Sequence, residues 1–342
     1  MPPRTMRAAV ITRPGGPETL ALQERPVPVP NAHEVLVRVH ASAMNRADVL
    51  QRQGRYPAPA GAPPDVPGLE LAGTVVAQGP AAHRWPSGSR VFGLVAGGAH
   101  ADYAVAHEDT LAAIPAALDW VSAGAVPEAF ITAFDALEQA AAHAGEVVLI
   151  HAVASGVGLA AVQLVRARGA QAIGTSRSGE KLARAAALGL HAGYDAEAGL
   201  EGLTEWIRQS TDGRGADVAL DLVGGPYVRP TIEALAPRGR LVVIGTVAGR
   251  EATLPLGIVL QRRLTIRGTV LRTRALEERM RDAAAFAREV VPLLQRGVVH
   301  PVIDRVIPLE RIADAHAAVE SNATTGKVVI TMTRDQPTSD QP

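Results

Sequence analysis

Val147-Val-Leu-Ile-His-Ala-Val-Ala-Ser-Gly-Val-Gly158 decides the fold. Its first residues form a short, continuous apolar run, as expected for a strand buried in a parallel sheet. Small residues then crowd the turn: Ala154, Ser155, Gly156 and Gly158, with Val157 among them. Beyond it, Gly158–Arg168 has helical spacing, with Ala161, Leu164 and Val165 on one face. A strand, a tight small-residue turn and a helix make a dinucleotide site. Small side chains let the backbone approach a pyrophosphate, and the helix start offers unpaired N–H groups and a positive dipole. The turn is not a strict G-x-G-x-x-G. An ordinary tight strand–helix turn would share its composition, and only the flanking strand and helix favour the binding reading.

Downstream the same alternation continues. Strands are predicted at Gln171–Thr175, His191–Tyr194, Asp217–Asp221, Arg240–Gly245 and Leu264–Val270, and helices at Glu180–Leu188, Leu200–Gln209 and Val228–Leu235. Strands alternating with helices argue for a doubly wound parallel sheet of the Rossmann type. An acid at the end of the second strand, about 20 residues past the turn, would bind the ribose of NAD. Thr175-Ser-Arg-Ser-Gly-Glu-Lys181 has none at the strand end. Ser176, Arg177 and Lys181 offer a hydroxyl and cations suited to a 2′-phosphate, which points to NADPH. Asp221-Leu-Val-Gly-Gly225 and Ile244-Gly-Thr-Val-Ala-Gly249 follow later strands, where this fold binds ligands. Gly224, Ile244 and Gly245 would let a nicotinamide lie against backbone, although turn chemistry alone also suits them.

The flanking regions differ in texture. Residues 1–125 are rich in proline and glycine, with strands expected at Glu34–His40, Leu71–Ala77, Arg90–Leu94 and Ala101–Val105. Val35, Val37 and Val39 share one face, the period of a half-buried strand. After residue 267 come one long helix, Leu276–Gln295, and short strands near Val302–Val306 and Lys327–Met332. This last stretch is too small to stand alone. The expected architecture is therefore an α/β unit, 126–266, inserted in a β-rich domain made of 1–125 and 267–342. Arg334–Pro342 has the polar, proline-containing composition of a disordered end.

Composition removes several function classes. There is no cysteine, which excludes thiolate nucleophiles, iron–sulfur clusters and cysteine-ligated zinc. Lysine plus arginine equals aspartate plus glutamate, so no net field favours nucleic acid or a membrane surface. Aromatics, at 3%, are too few for a base-stacking surface. No signal peptide and no apolar run of about 18 residues is visible, which makes the cytoplasm the default expectation.

Several long motifs, in order, carry a resemblance across roughly residues 6–332. They are Asn45-Arg-Ala-Asp-Val-Leu-Gln-Arg-Gln-Gly-Arg-Tyr-Pro57, Pro67-Gly-Leu-Glu-Leu-Ala-Gly73, the turn above, Thr269-Val-Leu-Arg-Thr-Arg274 and a final Gly-Lys-Val-Val-Ile. The chain resembles the zinc-independent quinone oxidoreductases of the medium-chain dehydrogenase/reductase superfamily, especially the p53-inducible quinone oxidoreductase subgroup. The resemblance implies a Rossmann unit inserted in a GroES-like β-rich catalytic domain. In zinc-dependent relatives a cysteine ligand lies at the position of Asn45, and a Gly-His-Glu motif supplies a histidine; here that motif is Gly68-Leu69-Glu70. Leucine cannot ligate zinc, so no metal is expected.

The resemblance further implies that Asn45, Asp48 and Tyr56 line the nicotinamide and substrate cleft, and that Thr132 lies near the nicotinamide. Ser176, Lys181 and Tyr194 match the 2′-phosphate pocket, and Gly268–Leu271, including Val270 and Leu271, with Lys327, match later cofactor contacts. Asp48 also suits a plain helix cap, and Tyr56 could pack against Pro57. Many quinone oxidoreductases carry a tyrosine where this chain has Leu50, a departure that favours larger apolar acceptors. Without a metal, a simple alcohol is poorly polarised, whereas a quinone or conjugated enone accepts hydride into its own π system. The first expectation is therefore NADPH-dependent reduction of a quinone or enone, with Tyr56 or water as proton source. The alternatives are an enoyl-thioester reductase and a non-catalytic NADPH-binding protein. A homodimer joined near Leu264–Val270 is also implied.

Overall fold

The computed structural model describes residues 2–332; the tail Arg334–Pro342 lies outside them. The strands among the described residues run in three groups. The first is β1 (Thr5–Ile11), β2 (Leu20–Pro26), β3 (Glu34–Ala43), β4 (Glu70–Gln78), β5 (Arg90–Leu94), β6 (Tyr103–His107) and β7 (Leu111–Ala113). The second is β8 (Val147–Ile150), β9 (Gln171–Ser176), β10 (Leu190–Asp195), β11 (Ala216–Asp221), β12 (Leu235–Val243) and β13 (Thr265–Gly268), and the third β14 (Ile303–Pro308) and β15 (Lys327–Thr331). The chain divides into two compact units. One comprises the residues up to Ile131 together with those from Arg272 onward; the other is Thr132–Leu271.

The 132–271 unit is built on a six-stranded sheet of order β10-β9-β8-β11-β12-β13, all pairs parallel. The order reverses between β8 and β11, the place where doubly wound sheets hold ligands beyond their strand ends. The apolar run of β8 is buried along its whole length, as two covered faces require. Val147, Leu149, Ile173, Ala219 and Leu241 form a core with Leu203, Ile207 and Ile232 from the covering helices.

The other unit centres on a sheet of order β14-β15-β3-β4-β5-β7, with β6 also pairing β3 and with β1 and β2 as a separate hairpin. Val35, Val37 and Val39 of β3 enter its core beside Leu71, Val75, Val91 and Ile330, the face the alternation predicts. Antiparallel pairing of β15 with β3 and of β3 with β4 joins strands from before and after the 132–271 unit in one sheet.

Three sequence expectations need correction. The helix expected over Leu276–Gln295 is two helices, Leu276–Glu289 and Val291–Gln295. Pro292 has no N–H to bond the preceding turn, and its ring crowds the carbonyl four residues back. The strand expected at Ala101–Val105 lies at Tyr103–His107, because before it the chain turns to β1, where Ala101 bridges Ala8 and the His100 carbonyl receives the Ala9 amide. The strand expected at Arg240–Gly245 starts earlier and stops sooner, at Leu235–Val243.

Candidate active site

In the 132–271 unit the turn after β8 is fastened at both ends. The Val153 amide donates to Thr175 O of β9 at 2.9 Å, and Ser155 caps the helix Gly156–Ala167 by accepting from the Gly158 amide at 3.1 Å. A serine cap satisfies one of the helix's orphan donors and leaves the first amides, Gly156 and Val157, for an anion. A Cβ on Gly158 would stand 2.5 Å from Val153 O and 2.7 Å from Ala152 O, so only glycine lets helix and turn meet this closely. Gly174 of β9 has the same relation to Ile150 O, at 2.8 Å.

A second set of loops converges at the ends of β11 and β12. Asp221 is fully buried, and its Oδ1 accepts from the amides of Val223 and Gly224, each at 2.8 Å. Its carbonyl receives the amides of Ile244 and Gly245 at 2.8 and 3.1 Å. Gly224 sits at φ +71°, where a side chain is strained, and a Cβ on Gly245 would lie 2.6 Å from Leu222 O. Asp221 Oδ2 and Thr132 Oγ1 are buried without a hydrogen-bond partner. Small residues closing on backbone, free amides at a helix start and two orphaned buried oxygens fit a bound dinucleotide.

His151, just after β8, links that strand to β9 and to the helix Val228–Ala234. It is fully buried, and Nε2 lies 2.7 Å from Thr231 Oγ1, whose proton is given to Tyr227 O. Thr231 must therefore accept, so Nε2 carries the hydrogen and Nδ1 accepts from Thr175 Oγ1 at 3.1 Å. Burial holds this imidazole neutral, with its pKa down to about 4.

At the end of β9, Ser176 is buried, Arg177 exposed, and Ser178 caps the next helix by accepting from the Lys181 amide at 3.4 Å. Tyr194 is half-buried and its hydroxyl donates to Glu201 O at 2.6 Å. Arg177 lies within electrostatic reach of the Tyr227 hydroxyl, which burial pushes up. Val270 is exposed and Leu271 half-buried, after Thr269 Oγ1 donates to Asp135 Oδ2 at 2.7 Å.

The unit built on β3 and β15 holds a second polar cluster. Asn45 caps the helix Arg46–Arg52, and Asp48 completes a capping box by accepting from the Asn45 amide at 2.8 Å. The other Asp48 oxygen takes the Gly68 amide at 2.9 Å, so this fully buried carboxylate joins helix to β4. Asn45 Nδ2 donates to Glu70 Oε1 at 2.8 Å, and Lys327 Nζ donates to Glu70 Oε1 at 2.7 Å, Asn45 Oδ1 at 2.5 Å and Met44 O at 3.0 Å. Glu70 Oε2 accepts from the Glu128 amide at 2.8 Å. Tyr56 is half-buried, with the Arg272 guanidinium 5.2 Å from its ring centroid. Arg272 itself donates to Gln51 Oε1 at 2.7 Å and Ala96 O at 2.9 Å, while its Nη1 is buried without a partner.

Sequence reasoning thus names Asn45, Asp48, Tyr56 and Lys327, which this unit gathers, but not Glu70, Glu128 or Arg272. Glu70 stands as an acid in an apolar stretch and Arg272 within a quoted motif, both readable as signals. Glu128 has no local mark. In the other unit His151 and Asp221 are the residues missed as network members; each is polar at the end of an apolar strand run.

Residues 31–116 match the alcohol dehydrogenase GroES-like domain and residues 156–289 the zinc-binding dehydrogenase domain. A quinone oxidoreductase of Lama guanicoe is 32% identical over 332 residues, covering 96% of this chain and 98% of its own. One of Pseudomonas aeruginosa is 34% identical over 322 residues, covering 92% and 96%. Among solved structures, an NAD-dependent alcohol dehydrogenase superposes with TM-score 0.85 at 32% identity, covering 96% of this chain and all of its own. A mycobacterial protein complexed with NADPH superposes with TM-score 0.86 at 25% identity, with the same coverage.

Proposed function

The chain belongs to the zinc-independent quinone oxidoreductases of the medium-chain dehydrogenase/reductase family, oxidoreductases that use a nicotinamide cofactor, and we propose that it reduces quinones or related conjugated carbonyl compounds with NADPH. One observation carries the acceptor class. Both ends of the Asn45 side-chain amide are already engaged, by Lys327 and Glu70, and Leu69, in the position of the family's histidine ligand, is a buried apolar residue. These residues offer no donor set that would polarise a simple alcohol, so the substrate must bring its own electron sink.

Bound NADPH supplies the hydride. The Ala154–Gly158 turn, with Thr132, Gly224, Ile244, Gly245, Val270 and Leu271, holds the dinucleotide; Ser176, Arg177, Lys181 and Tyr194 receive the 2′-phosphate. Tyr56 orients the acceptor through its hydroxyl, and Asn45 and Asp48 hold the surrounding backbone, with Lys327 fixing Asn45. The absence of an acid at the end of β9 supports NADPH over NADH. Arg177→Ala should raise the Kd for NADPH about tenfold, or about 1.4 kcal/mol, and leave that for NADH unchanged. Equal loss for both cofactors would remove the 2′-phosphate assignment. NADPH consumption with 9,10-phenanthrenequinone and with an enone tests the activity. Turnover confined to acyl thioesters would favour an enoyl-thioester reductase, and binding without any turnover a non-catalytic role.

We also propose a homodimer through β13. That strand is a sheet edge, exposed throughout, and Ile266, Val270, Leu256 and Leu260 present apolar surface near it in sequence. Open edges with apolar flanks pair readily with a second copy. Light scattering after size exclusion should give twice the chain mass, and a monomer at micromolar concentration would refute the assembly.

A further inference from the structure

Glu70 and Glu128 meet in the cluster of Asn45, Asp48 and Lys327, and they are held differently. Glu70 is fully buried and pairs with Lys327 at 2.7 Å; both its oxygens are taken by N–H donors. Glu128 stands in the first turn of the helix Pro127–Gln139 and is fixed by its backbone amide to Glu70 Oε2. Its carboxyl group has no hydrogen-bond partner among the described residues.

We propose that Glu128 is the acid that gives a proton to the oxygen of the reduced acceptor. The inference rests on the quinone-reductase reading above. A quinone that takes up hydride becomes a hydroquinone monoanion, with the added electron pair on oxygen. The Glu128 O–H bond breaks, a new O–H bond forms on that oxygen, and the carboxylate regains a proton from water. The sum is quinone, NADPH and one proton giving hydroquinone and NADP⁺.

The surroundings suit this role. Burial and the neighbouring Glu70 carboxylate raise the Glu128 pKa to about 8, so the acid form predominates at neutral pH yet can still ionise. The charged groups facing it are Glu70 of β4, Asp48 of the helix Arg46–Arg52, Lys327 of β15 and Arg272. The two cations favour the carboxylate left after transfer. Tyr56, also within electrostatic reach, has its phenol pushed above the usual range by burial, which makes it the poorer acid. An acid raised by burial beside a second carboxyl group is a usual arrangement for proton donation.

Glu128→Gln removes the proton and keeps the shape. With saturating NADPH, wild-type kcat for a quinone should fall as pH rises through about 8. The variant should lose about 100-fold in kcat, show no such limb, and bind NADPH with Kd within twofold. Glu128→Asp should restore part of the rate and the limb. Carbon-13 NMR of labelled glutamate gives a readout without turnover: one carboxyl titrating near 8 in wild type and missing in the Gln variant. Retention of wild-type kcat and pH limb by Glu128→Gln, or no glutamate titrating above 7, would overturn the inference alone. No turnover of any quinone or enone by wild type would overturn the functional reading and this inference with it.

Discussion

Lys327→Met is expected to cost about 3–5 kcal/mol of stability, the range for breaking a buried ion pair by removing one partner. Lys327 is 5% exposed and Glu70 0%. An ammonium has three donors, and here all three are used, on Glu70, Asn45 and Met44. Methionine fills the volume but leaves Glu70 charged in a dry site with only two N–H donors, and leaves Asn45 Oδ1 and Met44 O unpaired. The penalty is that of the orphaned groups, not of the lost attraction. Glu70→Gln added to Lys327→Met should therefore recover a substantial part of it, a coupling that a double-mutant cycle isolates. Urea unfolding followed by circular dichroism measures both. A loss below about 1 kcal/mol for Lys327→Met would mean that water reaches the pair and that it behaves as a surface bridge.

That ion pair also marks the limit of what was legible in the chain. The dinucleotide cradle could be read because each of its parts is local: an apolar run, small residues and a change of period within Val147–Arg168. The sheet order followed from the repetition of that unit. Asn45, Glu70, Glu128 and Lys327 share no window of sequence. They meet only because β15 pairs with β3, and β3 with β4, in a register set by side-chain alternation along the whole sheet. The resemblance supplied Asn45 and Lys327 but not their common partner Glu70. The hairpin of β1 and β2 leaves no mark in the sequence for a different reason. Its connection, residues 12–19, is long and includes a short 3₁₀ turn at Pro17–Thr19, so it lacks the two-residue turn that marks a hairpin in sequence. The broken helix before Val291 shows the converse, a proline whose local chemistry outweighs a continuous helical pattern.

Gly158→Ala should weaken NADPH binding by about 100-fold, or about 2.7 kcal/mol. Elsewhere in a helix this exchange stabilises by up to about 1 kcal/mol, because alanine loses less backbone freedom on folding. Here the new methyl would lie 2.5 Å from Val153 O, 2.7 Å from Ala152 O and 2.7 Å from Val153 C. These are backbone atoms of the turn itself and cannot swing aside, so helix and turn must separate. Such overpacking costs about 1–3 kcal/mol and exceeds the gain in propensity. Separation also lengthens the 3.1 Å bond from the Gly158 amide to Ser155 Oγ, and with it the placement of the Gly156 and Val157 amides. A pyrophosphate is held by such amides only when they stand within about 0.5 Å of the productive position. Gly257→Ala is the matched control. That glycine lies in the helix Leu256–Arg262 with nothing within 4 Å of an added Cβ; it should gain stability slightly and leave the Kd unchanged. Fluorescence titration with NADPH and thermal melts separate the two effects. If Gly158→Ala binds NADPH within twofold of wild type, the turn after β8 is not where the pyrophosphate is held.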